Sequence, residues 1–281
     1  MQPYSIYAFA DEANSYIPGQ IAAMKRNGLQ GLEIRNVGEY NIVDITLEMA
    51  RQVREQLTDA GLLTWSIGSP IGKKKIDADF APELDRFKHT LELAHELGAG
   101  NIRLFSFYMP KEADPAIYRN EVIDRMGQFV EAAHGSGIFL CHENEKGIYG
   151  DIADRCLDLH RQLPELKGVF DPANFVQCGD DTLRGWEMLK DYTYYLHIKD
   201  ALPNGDVVPA GKGAGNVAYI VKAFLTGGGK AMTVEPHLRV FAGLSELEEN
   251  GNTVGNQFAY PTTDDAFDAA CNALKDILEA L

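Results

Sequence analysis

The sequence predicts an α/β protein of the (β/α)8 barrel class, folded as a single domain. Three observations carry that expectation. Short β-prone runs alternate with helical stretches from end to end, the pattern of a parallel α/β chain. Eight such pairs recur at roughly 30-residue spacing, as in a closed barrel. The fifth to eighth strands each exit on an acid or an imidazole: Glu143, Asp171, His197 and Glu235.

The elements follow in order. A first strand from Tyr4 to Ala10 leads to a helix from about Ser15 to Asn27, closed by Gly28. A glycine just past a helix can take the left-handed backbone that ends it. The second strand is Gly31 to Arg35. Thr46 is placed to cap the next helix and Gly61 to stop it. The third strand, Leu62 to Ile67, opens into a loop carrying Lys73-Lys74-Lys75, and a helix from about Ala81 to Leu97 ends at Gly98. The fourth strand is Asn101 to Ser106, with a helix from about Pro115 to His134. The fifth strand ends at Glu143 before a helix from about Asp151 to Gln162, and the sixth ends at Asp171 before one near Thr182 to Leu189. The seventh ends at His197, and its helix, near Val217 to Leu225, closes at Gly227-Gly228-Gly229. The eighth ends at Glu235, and the last helix is Asp264 to Leu281. Residues 236–263, rich in Gly, Asn and Glu, break the rhythm and read as an active-site lid or a dimer contact. No linker divides residues 1–281. A doubly wound open sheet, the rival fold, would carry a Gly-rich phosphate loop at its first turn. Here that turn is Ala10-Asp11-Glu12-Ala13-Asn14, with two acids and no glycine.

The chain has 281 residues, 45% of them hydrophobic, and a formal charge of −15. A surface this acidic repels phosphate backbones and anionic lipids, so no nucleic acid and no membrane is expected as a partner. A small-molecule substrate suits it better. The four cysteines show no CxxC spacing and read as buried thiols of a reducing compartment. The opening Met1-Gln2-Pro3-Tyr4-Ser5 has neither a basic region nor a long apolar run, so a cytoplasmic location is expected. A homodimer or larger homo-oligomer stays open.

In a closed barrel the strand exits converge on one face, where such enzymes keep their chemistry. Three carboxylates and one imidazole there would make an oxygen-rich site for one divalent ion. Mn²⁺ leads, with Mg²⁺, Co²⁺ or Zn²⁺ also compatible. Each residue has a plainer reading. His197 alone would be a core histidine. Asp171, before Pro172, could start a turn. Glu143 and Glu145 share a strand face, so either could be the ligand, and Glu143 is preferred as closer to the strand. His142 falls on the other face and can simply pack against a helix. Candidates for substrate contact are Glu33, Arg35, Arg103, Ser106, Asn174, Lys199, Asp200, Lys212 and His237, with structural pairing of Arg35 to Glu33 or Glu12 as the alternative for Arg35. Lys73-Lys74-Lys75 reads as a solvated loop, with a phosphate clamp as the sharper option. Gly211-Lys212-Gly213 lacks the rest of a phosphate-binding loop, and Lys146 stands where a zinc-protease motif starting at His142 needs a histidine.

The chain resembles the xylose-isomerase-like barrels, the sugar (phosphate) isomerase/epimerase group that includes ketose 3-epimerases, inosose dehydratases and isomerases, and endonuclease-type members. The resemblance rests on His142-Glu143-Asn144-Glu145-Lys146, Phe170-Asp171-Pro172-Ala173-Asn174-Phe175, His197-Ile198-Lys199-Asp200 and Val234-Glu235-Pro236-His237, in that order, with ligand candidates 28, 26 and 38 residues apart. It extends from Phe9-Ala10-Asp11-Glu12 to Glu235-Pro236-His237-Leu238. It implies that Glu143, Asp171, His197 and Glu235 bind the metal and that Glu143 and Glu235 transfer protons. The expected activity is a metal-dependent isomerisation or epimerisation of a sugar or keto-sugar through a metal-stabilised enediolate. The same enediolate supports a dehydratase or lyase acting on an inosose or 3-keto-glycoside. An endonuclease-type phosphodiesterase would want more histidine ligands, and the charge argues against DNA. A catalytically silent sugar-binding barrel is the reading from outside enzymes.

Overall fold

Eight parallel strands close into a barrel in the computed structural model, which describes residues 4–241 and 259–281. They are β1 (Ser5–Ala8), β2 (Gly31–Ile34), β3 (Leu63–Gly68), β4 (Asn101–Leu104), β5 (Phe139–Glu143), β6 (Lys167–Phe170), β7 (Thr193–Ile198) and β8 (Ala231–Val234). Each pairs with its sequence neighbours, and β8 closes on β1, with Tyr7 opposite Thr233 and Ala8 opposite Val234. The connecting helices are α1 (Ile17–Asn27), α2 (Leu47–Asp59), α3 (Ala81–Leu97), α4 (Arg119–Ala133), α5 (Ala153–Gln162), α6 (Pro172–Gln177), α7 (Thr182–Leu189), α8 (Val217–Thr226) and α9 (Thr263–Glu279). The single-domain barrel expected from the sequence is the observed fold. Of the segment expected as a lid, residues 242–258 lie outside the described residues.

The pleat divides the side chains into two cores. Along β7, Leu196 and Ile198 join the large apolar layer between strands and helices. Tyr195 joins a smaller cluster with Tyr7, Cys141, Val169 and Ala231. His197, two residues on, shares the face of Tyr195, because side chains alternate along a strand. That places the imidazole inside the barrel at its C-terminal end. Helix ends follow local chemistry: the Thr46 hydroxyl accepts from the Met49 amide, and Gly28 and Gly98 end their helices with φ of 67° and 71°.

Several boundaries move from their expected places. The first strand stops at Ala8, and Ala10–Glu12 form a 3-10 turn, since the Asp11 and Glu12 carboxylates fold back onto Arg35. The fourth strand ends at Leu104 rather than Ser106. Asp114 caps a separate 3-10 turn, Pro115–Tyr118, ahead of α4. The short α6 is additional: Asp171 caps it by accepting from the Asn174 amide. Two small antiparallel ribbons, Asn36–Val37 with Tyr40–Asn41 and Asp200–Ala201 with Val207–Val208, also sit outside the simple alternation. Gly72 lets the loops after β3 and β4 touch: a Cβ there would meet the Phe105 carbonyl oxygen at 2.0 Å. No described helix is long and apolar enough to cross a membrane. All four cysteines are free. Cys141, Cys156 and Cys271 are buried and Cys178 is half-buried.

His160 on α5 packs flat on Tyr192, and its Nδ1 lies 3.1 Å from the Leu166 carbonyl. Burial pushes its pKa down from 6.5 to about 4. The unfolded chain therefore binds more protons below pH 6.5, so this group's contribution is present above that pH and is lost as pH falls toward 4. The unfolding free energy measured in urea is expected to fall across that window, by up to about 3 kcal/mol from this residue. His160→Gln should flatten the slope, and an unchanged slope would exclude this origin.

Candidate active site

The four expected residues meet at the C-terminal mouth of the barrel. Glu143 ends β5, Asp171 follows β6, His197 is the penultimate residue of β7 and Glu235 follows β8. All are buried, and each offers one ligand atom with all four atoms within 4.8 Å of one another. His197 Nδ1 lies 3.2 Å from Glu143 Oε1 and 3.2 Å from Glu235 Oε2. His197 Nδ1 and Asp171 Oδ2 are buried without a hydrogen-bond partner. Asp171 Oδ2 is also 2.9 Å from Lys199 Nζ, an ion pair without hydrogen-bond geometry. Buried polar atoms are nearly always satisfied, so His197 Nδ1 without a hydrogen-bond partner, beside an Asp171 oxygen met only by the Lys199 cation, fits a cation there. The donor set, three carboxylates and one imidazole nitrogen, suits a divalent ion.

The charges are arranged to hold like-charged groups together. Burial alone would raise the Glu143 carboxyl, but His197 and Arg103 outweigh it and hold it at about 2. For Glu235 burial is likewise overcome, chiefly by Lys199 and His237, and its pKa lies well below the usual range. Asp171 goes the other way: burial, with Glu235 and Glu143 adding to it against Lys199, raises it to about 7. For His197 burial is overcome by Glu143 and Glu33, which hold the imidazole well above its ordinary value. Asp171 and His197 are thus the groups whose protons a metal ion would displace.

Polar side chains brace the cluster. Arg103 Nη1 donates to Glu143 Oε2 at 2.7 Å, and Asn174 Nδ2 donates to Glu143 Oε1 at 3.2 Å. Lys199 Nζ bridges Asp171 and Glu235 at 2.9 and 3.2 Å. His237, with φ of 44°, places Nδ1 3.1 Å from Glu12 Oε1 and 3.5 Å from Glu235 Oε1. The Asn144 side chain ties the two exits together, donating to the Asp171 carbonyl and accepting from its amide, each at 2.9 Å. A small pocket of about 20 Å³ opens above, lined by Arg35, Arg103, Asn174, Lys199, Glu235 and His237 among others.

Of the expected substrate contacts, Arg103, Asn174, Lys199 and His237 therefore line one pocket. Glu33 and Lys212 do not. Glu33 is fully buried beneath His197. Lys212 is exposed on a turn whose shape is set by Asp200, which accepts from the amides of Gly211, Gly213 and Gly215. Ser106 turns away and binds His142 Nε2 at 2.9 Å, and burial pushes His142 down to about 3. The solvated-loop expectation is corrected for Lys73: it lies over the Phe105 ring at 4.5 Å, pairs with Glu145 at 3.0 Å and lines the pocket. Lys74 and Lys75 are exposed. Glu145, taken by Lys73, stands outside the four-atom cluster. Arg35 pairs with Asp11 and Glu12, at 2.9 and 3.1 Å, rather than with Glu33. Asp11, Asn144 and Tyr195 carry no sequence assignment, although Tyr195 is two residues from His197 on the same strand face.

A parallel barrel with ligand groups converging from four successive strands at its C-terminal mouth defines a class of candidate metal-using barrels. The sequence matches the xylose isomerase-like TIM barrel family over residues 21–250, and the chain belongs to that family. No curated protein matches it by sequence. The fold is similar to three solved structures. The IOLI protein with a bound zinc atom has a TM-score of 0.75 at 15% identity, covering 98% of each chain. An L-ribulose 3-epimerase has a TM-score of 0.74 at 16% identity, covering 99% of this chain and 95% of that one. The probable 3-DHS dehydratase AsbF from Bacillus anthracis has a TM-score of 0.73 at 16% identity, covering 97% and 98%. At these identities the likeness shows the fold.

Arg35 is buried between Phe9 and Phe241, its guanidinium carbon 4.5 and 4.9 Å from their rings. Removing it strands the Asp11 and Glu12 carboxylates in the interior. Arg35→Met is expected to cost about 3–5 kcal/mol, read from urea unfolding, because breaking a buried pair leaves an uncompensated charge.

Proposed function

We propose that the chain is a divalent-metal-dependent isomerase or epimerase acting on a sugar or keto-sugar by proton transfer next to a carbonyl. The observation that carries this reading is the four-strand cluster, in which His197 Nδ1 has no hydrogen-bond partner and Asp171 Oδ2 faces the Lys199 ammonium. Glu143, Asp171, His197 and Glu235 would hold the ion, with Mn²⁺ favoured by the carboxylates and Zn²⁺ kept in view by the zinc in the IOLI structure. A bound divalent cation supplies a Lewis acid that polarises a carbonyl and offsets the charge growing on its oxygen as the neighbouring C–H is deprotonated.

The chain's own residues do the rest. Of the four ligand candidates Glu235 is the one that lines the pocket, so it is the group placed to take a proton from substrate. Glu143, held deeper by Arg103 and Asn174, is the second proton carrier. Once the carboxylates serve the ion, Lys199 and Arg103 can turn donors toward substrate oxygens. Lys73 is engaged with Glu145, and Arg35 with Asp11 and Glu12. The likeness to AsbF favours a second reading, in which the same proton abstraction expels a β-hydroxyl as water.

Metal analysis of the purified protein should find one divalent ion per chain, lost in His197→Ala. Glu235→Gln should lower turnover of a keto-sugar by about 10²–10⁴-fold. Solvent deuterium entering a product of otherwise unchanged mass would mark an isomerase or epimerase, and loss of one water would mark the dehydratase. Undiminished turnover after exhaustive chelation would sink both.

A further inference from the structure

Resting on the metal reading above, we infer that Glu33 is a positioning residue that fixes the tautomer of His197, and that Tyr195 holds Glu33 in place for it. Glu33 comes from β2 and is fully buried, with no path to the pocket. Its Oε2 lies 3.1 Å from His197 Nε2, a contact that crosses the barrel interior. Its Oε1 accepts from the Tyr195 hydroxyl at 2.8 Å and lies 4.0 Å from Arg103 Nε. The ring of His197 is held edge-on by Phe9 and Tyr195, at 5.3 and 5.5 Å, so it has little freedom to turn over.

The consequence follows from hydrogen-bond inventory. A neutral imidazole has one donor nitrogen and one acceptor nitrogen, and an ionised carboxylate only accepts. Glu33 therefore requires the proton on Nε2. The lone pair is then on Nδ1, which faces Glu143 Oε1 and Glu235 Oε2. Without an ion, a second proton on Nδ1 can sit between these acceptors; a divalent cation would take that proton's place and leave Nε2–H on Glu33. Tyr195 leaves Glu33 a single orientation by occupying its other oxygen. A carboxylate behind a ligating histidine both orients the ring and raises its basicity.

The test uses the whole chain, Zn²⁺ as the probe and ¹⁵N-labelled histidine. In the Zn²⁺-loaded protein one slowly exchanging imidazole proton on Nε2 is expected, assigned by its loss in His197→Ala. Glu33→Gln should weaken Zn²⁺ binding, measured by calorimetry, about 10–100-fold and shift or abolish that resonance. Tyr195→Phe should shift the same resonance with a smaller loss of affinity. It carries the test alone if Glu33→Gln does not fold. Both variants binding Zn²⁺ as tightly as the unsubstituted chain, with the resonance in place, would overturn the role of Glu33. An unsubstituted chain that binds no Zn²⁺ or Mn²⁺ would instead overturn the metal reading, and the positioning role with it.

Discussion

Buried like charge is the constraint on which this molecule turns. Asp11, Glu12, Glu33, Glu143, Asp171 and Glu235 are all buried at one end of the barrel. Each would cost several kcal/mol if left ionised and alone. None is alone. Arg35 takes Asp11 and Glu12, Arg103 takes Glu143, Lys199 takes Asp171 and Glu235, and His197 stands among Glu33, Glu143 and Glu235. These ion pairs join β1, β2 and β4 to the exits of β5–β8. The barrel's closure and the order of its mouth are thus one problem, because each charge is balanced by a residue from a different strand.

The same arrangement explains why the site is rigid where it must be. The ligand candidates sit at or next to strand ends rather than on long loops, so the sheet sets their spacing. A second ring of contacts then fixes their rotamers: Asn174 and Arg103 on Glu143, Asn144 across to the Asp171 backbone, His237 against Glu12 and Glu235. The proposed proton transfer would need groups held to within a fraction of an ångström, and this mouth is built from strand ends.

Much of this was legible in the chain. Short β-prone apolar runs, capping residues and helix-ending glycines located the eight strand–helix pairs, and the positions of Glu143, Asp171, His197 and Glu235 at strand exits followed. The pairing pattern was less legible. Glu33 reads as a pocket residue from its strand, but a single inward position does not say whether a side chain faces up into the mouth or across beneath it. Lys73 reads as part of a solvated three-lysine loop. Only the close approach of Gly72 to Phe105 brings it onto the ring and over Glu145. Arg35 could have chosen Glu33 or Glu12 by sequence distance alone. The 3-10 turn at Ala10–Glu12 decides the matter by carrying Asp11 and Glu12 to it. These are contacts between distant segments, and local pattern holds little information about them.

Asp171 divides its carboxylate between two tasks. One oxygen accepts the Asn174 amide that starts α6, and the other points into the cluster. Both alternative readings of this residue, turn starter and ligand candidate, are therefore realised in one side chain. The arrangement makes length as important as charge. A glutamate has the same charge but one more methylene, and it could reach the cluster only by releasing the helix, or keep the helix only by overshooting the cluster. The first turn of α6, with Asn174 braced against Glu143, thereby becomes part of the pocket's frame.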